Sequence, residues 1–187
     1  MLTITFRLPD WLDEVVDRER AYRTLEERVA LAIELARQNV LRDLAGPFGA
    51  AVFERETGRL VAAGVNRVVP EKSSVLHAEI TALMAAHAAL GTYTLSAPGL
   101  PAHELVTSCA PCAMCLGATL WSGVRRLVIA ARREDAMALG FDEGPVSPAS
   151  YDYLAARGIE IVHDVLREEA RRVLALYVGR GGAVYNP

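Results

Sequence analysis

Two stretches of the chain combine residue type and spacing in a way that could do chemistry: His77-Ala78-Glu79 and, further on, Pro111-Cys112-Ala113-Met114-Cys115. His77, Cys112 and Cys115 offer one imidazole and two thiolates, three of the four positions that a tetrahedral Zn2+ takes, which leaves one for water. An open position serves catalysis. Glu79 lies two residues past the histidine and is not a soft ligand, so it is placed to take a proton from that water and hand it on. Pro111 suits the first turn of a helix, and residues spaced as Cys112 and Cys115 share a helix face. A helix N-terminus also favours the thiolate.

Other readings of these residues stay open. A C-x-x-C pair can be a redox couple, a histidine on an apolar helix is often only packed, and a site that enlisted Cys109 would be closed and structural. Bulk properties narrow the setting. With 187 residues the chain suits one domain with a good core. Its 52% hydrophobic and 23% charged residues are those of a globular protein rather than a disordered one. A net charge of -3 gives no global attraction for nucleic acid, although Arg125, Arg126, Arg132 and Arg133 cluster. Three cysteines, two of them assigned to metal, suggest no disulfide framework, so a reducing, cytoplasmic setting is expected. Residues 1–10 lack the apolar run of a signal peptide, and no stretch is long and apolar enough for a membrane span.

The elements that must position these residues can be read in order. Residues 1–24 read as an N-terminal extension anchored by Trp11 and Val15, and residues 25–187 as the domain proper. Leu25, Val29, Ala32, Ile33, Ala36, Val40 and Leu44 recur at helical spacing behind a Thr24-x-x-Glu27 capping box, and Gly46-Pro47 ends that helix. Residues 50–53 and 60–65 form a strand hairpin around Glu56-Thr57-Gly58-Arg59. Helices are expected over 76–90, 112–121, 135–139, 150–157 and 166–177, and further strands over 104–108, 126–130 and 159–162. Residues 179–187 are a glycine-broken tail. This alternation predicts an α/β fold, a three-layer α/β/α sandwich around a mixed five-stranded sheet, with the site at one sheet edge.

The pattern His-x-Glu followed by Pro-Cys-x-x-Cys resembles the cytidine deaminase superfamily, and within it the chain is similar to the bacterial guanine deaminases. The likeness spans about residues 29–185 and rests on Gly46-Pro47-Phe48-Gly49-Ala50, on Asn66, on the two metal stretches, and on Ala138-Leu139-Gly140-Phe141-Asp142-Glu143. It implies Zn2+ on His77, Cys112 and Cys115, with Glu79 as the main proton shuttle and Glu143 as a second acid that assists departure of the amine. Asn66 would hydrogen-bond the purine, Phe48 would lie against the ring, and Ala78 and Trp121 would help wall the pocket. The tail would cross to a neighbouring subunit, making Tyr185 a lid in a domain-swapped homodimer. One departure stands out. The family commonly carries Glu immediately before the Pro-Cys, where this chain has Ala110.

The resemblance implies hydrolytic deamination of guanine to xanthine and ammonia, a step of purine catabolism or salvage on a small-molecule nucleobase. Three rivals remain. The same chemistry could act on cytosine, guanosine, a pterin or an ammeline-type triazine. Deamination of tRNA adenosine is opposed by the acidic balance and a lid-like tail, and a zinc module without catalysis would have no need of Glu79.

Overall fold

The computed structural model of the chain describes residues 5–185. The ends of the expected extension and of the tail, residues 1–4 and 186–187, therefore lie outside the described residues. A single turn, α1 (Leu12–Val15), comes first. Its flanks supply anchors: Trp11, Leu12 and Val16 are buried, whereas Val15 is only half-buried, and the Trp11 indole N–H donates to Asp43 Oδ2 at 3.2 Å. The reciprocal cap at Thr24 forms as expected. Glu27 N–H donates to Thr24 Oγ1 and Thr24 N–H donates to the Glu27 carboxylate, each at 3.1 Å, and this starts α2 (Leu25–Asp43).

The chain then forms the hairpin β1 (Gly49–Glu54) and β2 (Leu60–Val65), the single turn α3 (Val68–Glu71), α4 (Ala78–Leu90) and β3 (His103–Cys109). There follow α5 (Ala113–Ser122), β4 (Arg126–Ala131), α6 (Arg133–Met137), α7 (Pro148–Ala156), β5 (Glu160–Val162) and α8 (Arg167–Gly179). The strands lie in the order β2-β1-β3-β4-β5. β1 runs antiparallel to both β2 and β3, while β3, β4 and β5 are parallel. The mixed five-stranded sheet is thus as expected. Sequence periodicity did not foresee α1 or α3, because one turn of helix carries too few residues to show a period.

Alternation along the strands feeds two cores. Ala51, Phe53, Val106 and Val128 join α2 and α8 on one face, while Ala50, Val52, Leu105, Leu127 and Ile129 join α4 and α5 on the other. Two glycines let helices come close to the sheet. A Cβ on Gly49 would meet the Ala32 carbonyl oxygen at 2.3 Å, and one on Gly64 would meet the Ala82 nitrogen at 2.3 Å. The second approach seats α4 directly on β2, which sets where the start of α4 falls.

A buried ion cluster ties the hairpin turn to the sheet centre. Glu104 is fully buried on β3, and its carboxylate accepts from Arg28 on α2 and from Arg126 Nε at 2.5 Å. Arg28 also donates to the carbonyls of Tyr22 at 2.7 Å and Arg55 at 3.0 Å. Tyr22 is itself buried, edge-on to Phe53 at 5.4 Å. Removing the shared acceptor strands a buried guanidinium. Glu104→Ala is therefore expected to cost about 3–5 kcal/mol in urea unfolding of the zinc-loaded protein; a midpoint equal to wild type would show that the cluster contributes nothing net.

Candidate functional site

The starts of α4 and α5 meet at one end of the sheet, past β2 and β3. His77 is the N-cap of α4 and Cys112 the N-cap of α5; both backbones are extended and neither side chain caps its own helix. N-caps are usually Ser, Thr, Asp or Asn bonded back to the helix. Here the side chains are free to turn toward each other. Cys112 Sγ and His77 Nδ1 lie 3.5 Å apart, and with Cys115 the three ligand atoms all fall within 4.8 Å of one another. Metal–ligand bonds of about 2.0–2.3 Å at tetrahedral angles call for ligand separations of roughly 3.5–4 Å. One imidazole and two thiols at this spacing fit Zn2+, and these residues are positioned to bind a metal ion.

Charge is arranged to suit. The Cys112 thiol is pushed down to about 4, first by its hydrogen bond with Cys115 and then, against the effect of burial, by His77. Cys115, the partner in that bond and itself buried, is pushed far up, so the pair shares one proton that a cation would displace. At His77 burial disfavours the charged form, but the Cys112 hydrogen bond and the Glu79 charge outweigh it and the pKa rises. Burial raises Glu79, and the nearby Cys112 charge adds to the effect. Glu143 is pushed up to about 8, again by burial first and then by Cys112 and Glu79.

A cavity of about 440 Å³ opens above the three ligands. His77, Glu79, Cys112 and Glu143 line it, as do Phe48, Asn66 and Tyr185. Asn66 is fully buried: its backbone N–H donates to Phe48 at 3.1 Å, its carbonyl accepts from Asn39, and its side-chain oxygen accepts from Val68 N–H at 3.2 Å. With the oxygen engaged, Nδ2 is the end left to serve the cavity. Phe141 is the aromatic hub, edge-on to Phe48 at 5.1 Å and to Tyr185 at 5.5 Å. Tyr185 lies over the cavity of its own chain. A Cβ on Gly46 would meet its hydroxyl at 2.3 Å, so only glycine permits this seat.

Two expected pocket residues are elsewhere. Trp121 is 76% exposed at the far end of α5. It lies roughly 13 Å along the helix axis from the Cys112 end, too far for its ring to wall the cavity. The Ala78 methyl packs into the core beneath α4, because the residue between His77 and Glu79 points to the sheet. Conversely, Val68, Ser74 and Met114 line the cavity without having been foreseen. Met114 could have been inferred, since it sits between the two cysteines on the first turn of α5; Ser74 carries no sequence signal. Ala110 lines both this cavity and a second one on the far side, lined also by Arg133 and Tyr151.

The ligand assignment has a direct readout. Losing only a hydrogen-bond partner of a ligand weakens a metal site ~10–100-fold, so Cys115→Ala, which removes a ligand, is expected to weaken zinc binding by more than about 100-fold. Zinc per chain after dialysis against a chelator measures this, and wild-type retention would rule out Cys115 as a ligand.

Comparison with known proteins agrees with this geometry. Residues 23–131 match the family described as the cytidine and deoxycytidylate deaminase zinc-binding region. The guanine deaminase of Bacillus subtilis (strain 168) is 38% identical over 112 residues, covering 60% of this chain and 67% of that protein. The solved structure of the guanine deaminase from Nitrosomonas europaea is 48% identical with a TM-score of 0.90, covering 95% of this chain and 97% of that one. A structure solved in complex with 2,6-diaminopurine is 49% identical with a TM-score of 0.90, covering 97% of this chain and 96% of that one. The chain belongs to the zinc-binding cytidine and deoxycytidylate deaminase family.

Proposed function

We propose that this chain is a hydrolytic guanine deaminase that converts guanine and water to xanthine and ammonia. The observation that carries the reading is an aromatic cavity of about 440 Å³ in which the Asn66 amide, the ligand triad and two raised carboxyls converge. That volume lies within the range of small-ligand pockets. The kinship with guanine deaminases at 38% and 48% identity supports guanine as the ring.

Zn2+ held by His77, Cys112 and Cys115 would supply Lewis-acid activation of a water at neutral pH. The chain's own groups do the rest. Glu79 takes the water proton and delivers it to a ring nitrogen beside C2, which makes that carbon electrophilic. Oxygen adds at C2. Glu143, whose pKa burial pushes up, protonates the amine so that it leaves as ammonia, and takes in exchange the hydroxyl proton released as the C2 carbonyl of xanthine forms. Asn66 Nδ2 donates to a ring acceptor, Phe48 packs against the ring, and Tyr185 excludes bulk water.

Three free cysteines, two of them serving as metal ligands, suit a reducing compartment, which supports a cytoplasmic setting. A homodimer accounts for the outer face of α5. This helix carries no charged residue, exposes Met114 and Trp121, and includes Gly117, at which an added Cβ would touch nothing. A mid-helix glycine that nothing in its own chain requires suits the close approach of a second copy. The tail follows Gly181 and Gly182, so in a dimer Tyr185 reaches either its own cavity or, swapped, the partner's equivalent.

Ammonia release from guanine, guanosine, cytosine, adenine, an amino-triazine and a tRNA anticodon stem-loop tests the reading. Guanine is expected to be strongly preferred; turnover of another member without guanine would overturn the assignment. Glu79→Gln should keep zinc yet lose roughly 10²–10⁴-fold in kcat, and a wild-type rate would remove Glu79 from the mechanism. Trp121→Glu is expected to halve the mass measured by light scattering, from that of two chains to that of one, while wild-type mass would place the interface elsewhere.

A further inference from the structure

We propose that Arg133 is a positioning residue for Glu143, its guanidinium fixing the loop on which that carboxyl enters the cavity; this rests on the reaction proposed above. Glu143 sits on no regular element, so its aim depends on how the loop around it is held. Phe141 anchors one end: it is buried, and its N–H donates to the Ala136 carbonyl at 3.3 Å. The Glu143 carbonyl accepts from Ala113 N–H at 3.0 Å, the first amide of α5. Next comes Gly144, whose N–H donates to Asp142 Oδ1 at 2.8 Å and whose carbonyl accepts from Arg133 Nη2 at 2.9 Å.

Gly144 has a φ of 69° and packs so closely on α5 that an added Cβ would lie 3.2 Å from the Ala113 Cβ. The loop therefore has little room and a short list of anchors. Among the described residues, Arg133 supplies the side-chain hydrogen bond that reaches the loop from outside it. Its neighbour Arg132 turns outward and grips Asp164 at 2.6 and 2.7 Å. Arg133 turns inward instead, with Nε buried and without a hydrogen-bond partner. A half-buried guanidinium that spends its contact on one loop carbonyl, with a nitrogen left unpaired, is not placed for its own stability. Its placement serves the loop. Val146 N–H also donates to the Gly144 carbonyl at 2.8 Å, so removing Arg133 leaves no orphan acceptor and the fold is expected to survive.

The test uses zinc-loaded protein with guanine as substrate. Misplacing a catalytic group by about 1 Å costs on the order of 100-fold. Arg133→Gln is therefore expected to lower kcat about 10- to 100-fold, with KM within about twofold of wild type. Zinc content and thermal midpoint should be unchanged, and Arg133→Lys should recover part of the rate. The deciding measurement repeats Arg133→Gln in a Glu143→Ala background. A residue acting through Glu143 has no further effect there, whereas a full additional loss would show that Arg133 acts by another route and would overturn the proposal. An unchanged kcat in the single variant would do the same. If Glu143→Ala alone keeps the wild-type rate while Arg133→Gln loses it, the role given to Glu143 in the reaction falls, and with it the proposal that Arg133 acts through Glu143.

Discussion

The structure depends on bringing an imidazole, two thiols and two carboxyls together at one cavity. Taken singly, each buried anion there would be costly. Together they are tolerable only because they do not all ionise at once. Cys112 is held as thiolate while Cys115 keeps a proton, and burial raises both Glu79 and Glu143. A divalent cation on the three ligands would balance two thiolates, which leaves the two carboxyls as titratable groups of the cavity. The same burial that makes the group expensive raises the pKa of both carboxyls.

Backbone proximity enforces this convergence. The ligands come from the first residues of two helices, and those helices are set by how closely they lie on the sheet. Gly64 brings α4 onto β2, and the Ala113 amide of α5 reaches the Glu143 carbonyl. The small residues around the site are there for the approach of backbone, not for flexibility. Gly46 follows the same rule, since any side chain would occupy the space of the Tyr185 hydroxyl and the Asn66 amide.

The parts of this arrangement that were legible in the sequence are those written in local spacing. His77 with Glu79, Cys112 with Cys115, the Thr24 capping box and the alternation of the strands each lie within a few residues, where chain geometry alone decides direction. Glu143 was different: its loop has no period, and only the resemblance pointed to it. Trp121 shows the opposite error, because a large aromatic on a metal-bearing helix invites a place in the pocket while the length of the helix carries it away. Ser74, Val68 and the hub role of Phe141 were not legible, since they depend on loops meeting in space. Residues 11–22, set apart from the domain in the sequence reading, share its core through Trp11, Leu12, Val16 and Tyr22, contacts that join distant parts of the chain.

Closure bears on which ligand the cavity suits. Tyr185 is engaged by Phe141, which in turn stacks on Tyr177 of α8 at 6.2 Å, and the Tyr177 hydroxyl donates to the Ala183 carbonyl at 2.7 Å. The tail is thus held by packing continuous with the core on one side of the cavity and by the narrow slot over Gly46 on the other. On the Tyr185 side a ligand must end within the cavity, because any extension past Tyr185 would have to displace an aromatic cluster. A free aminated base satisfies that condition. A base still joined to a polynucleotide would have to lead its backbone out past the exposed lining residues Ser74 and Met114. The acidic net charge adds no attraction for phosphate along that path, so the electrostatic balance favours the same class of small ring.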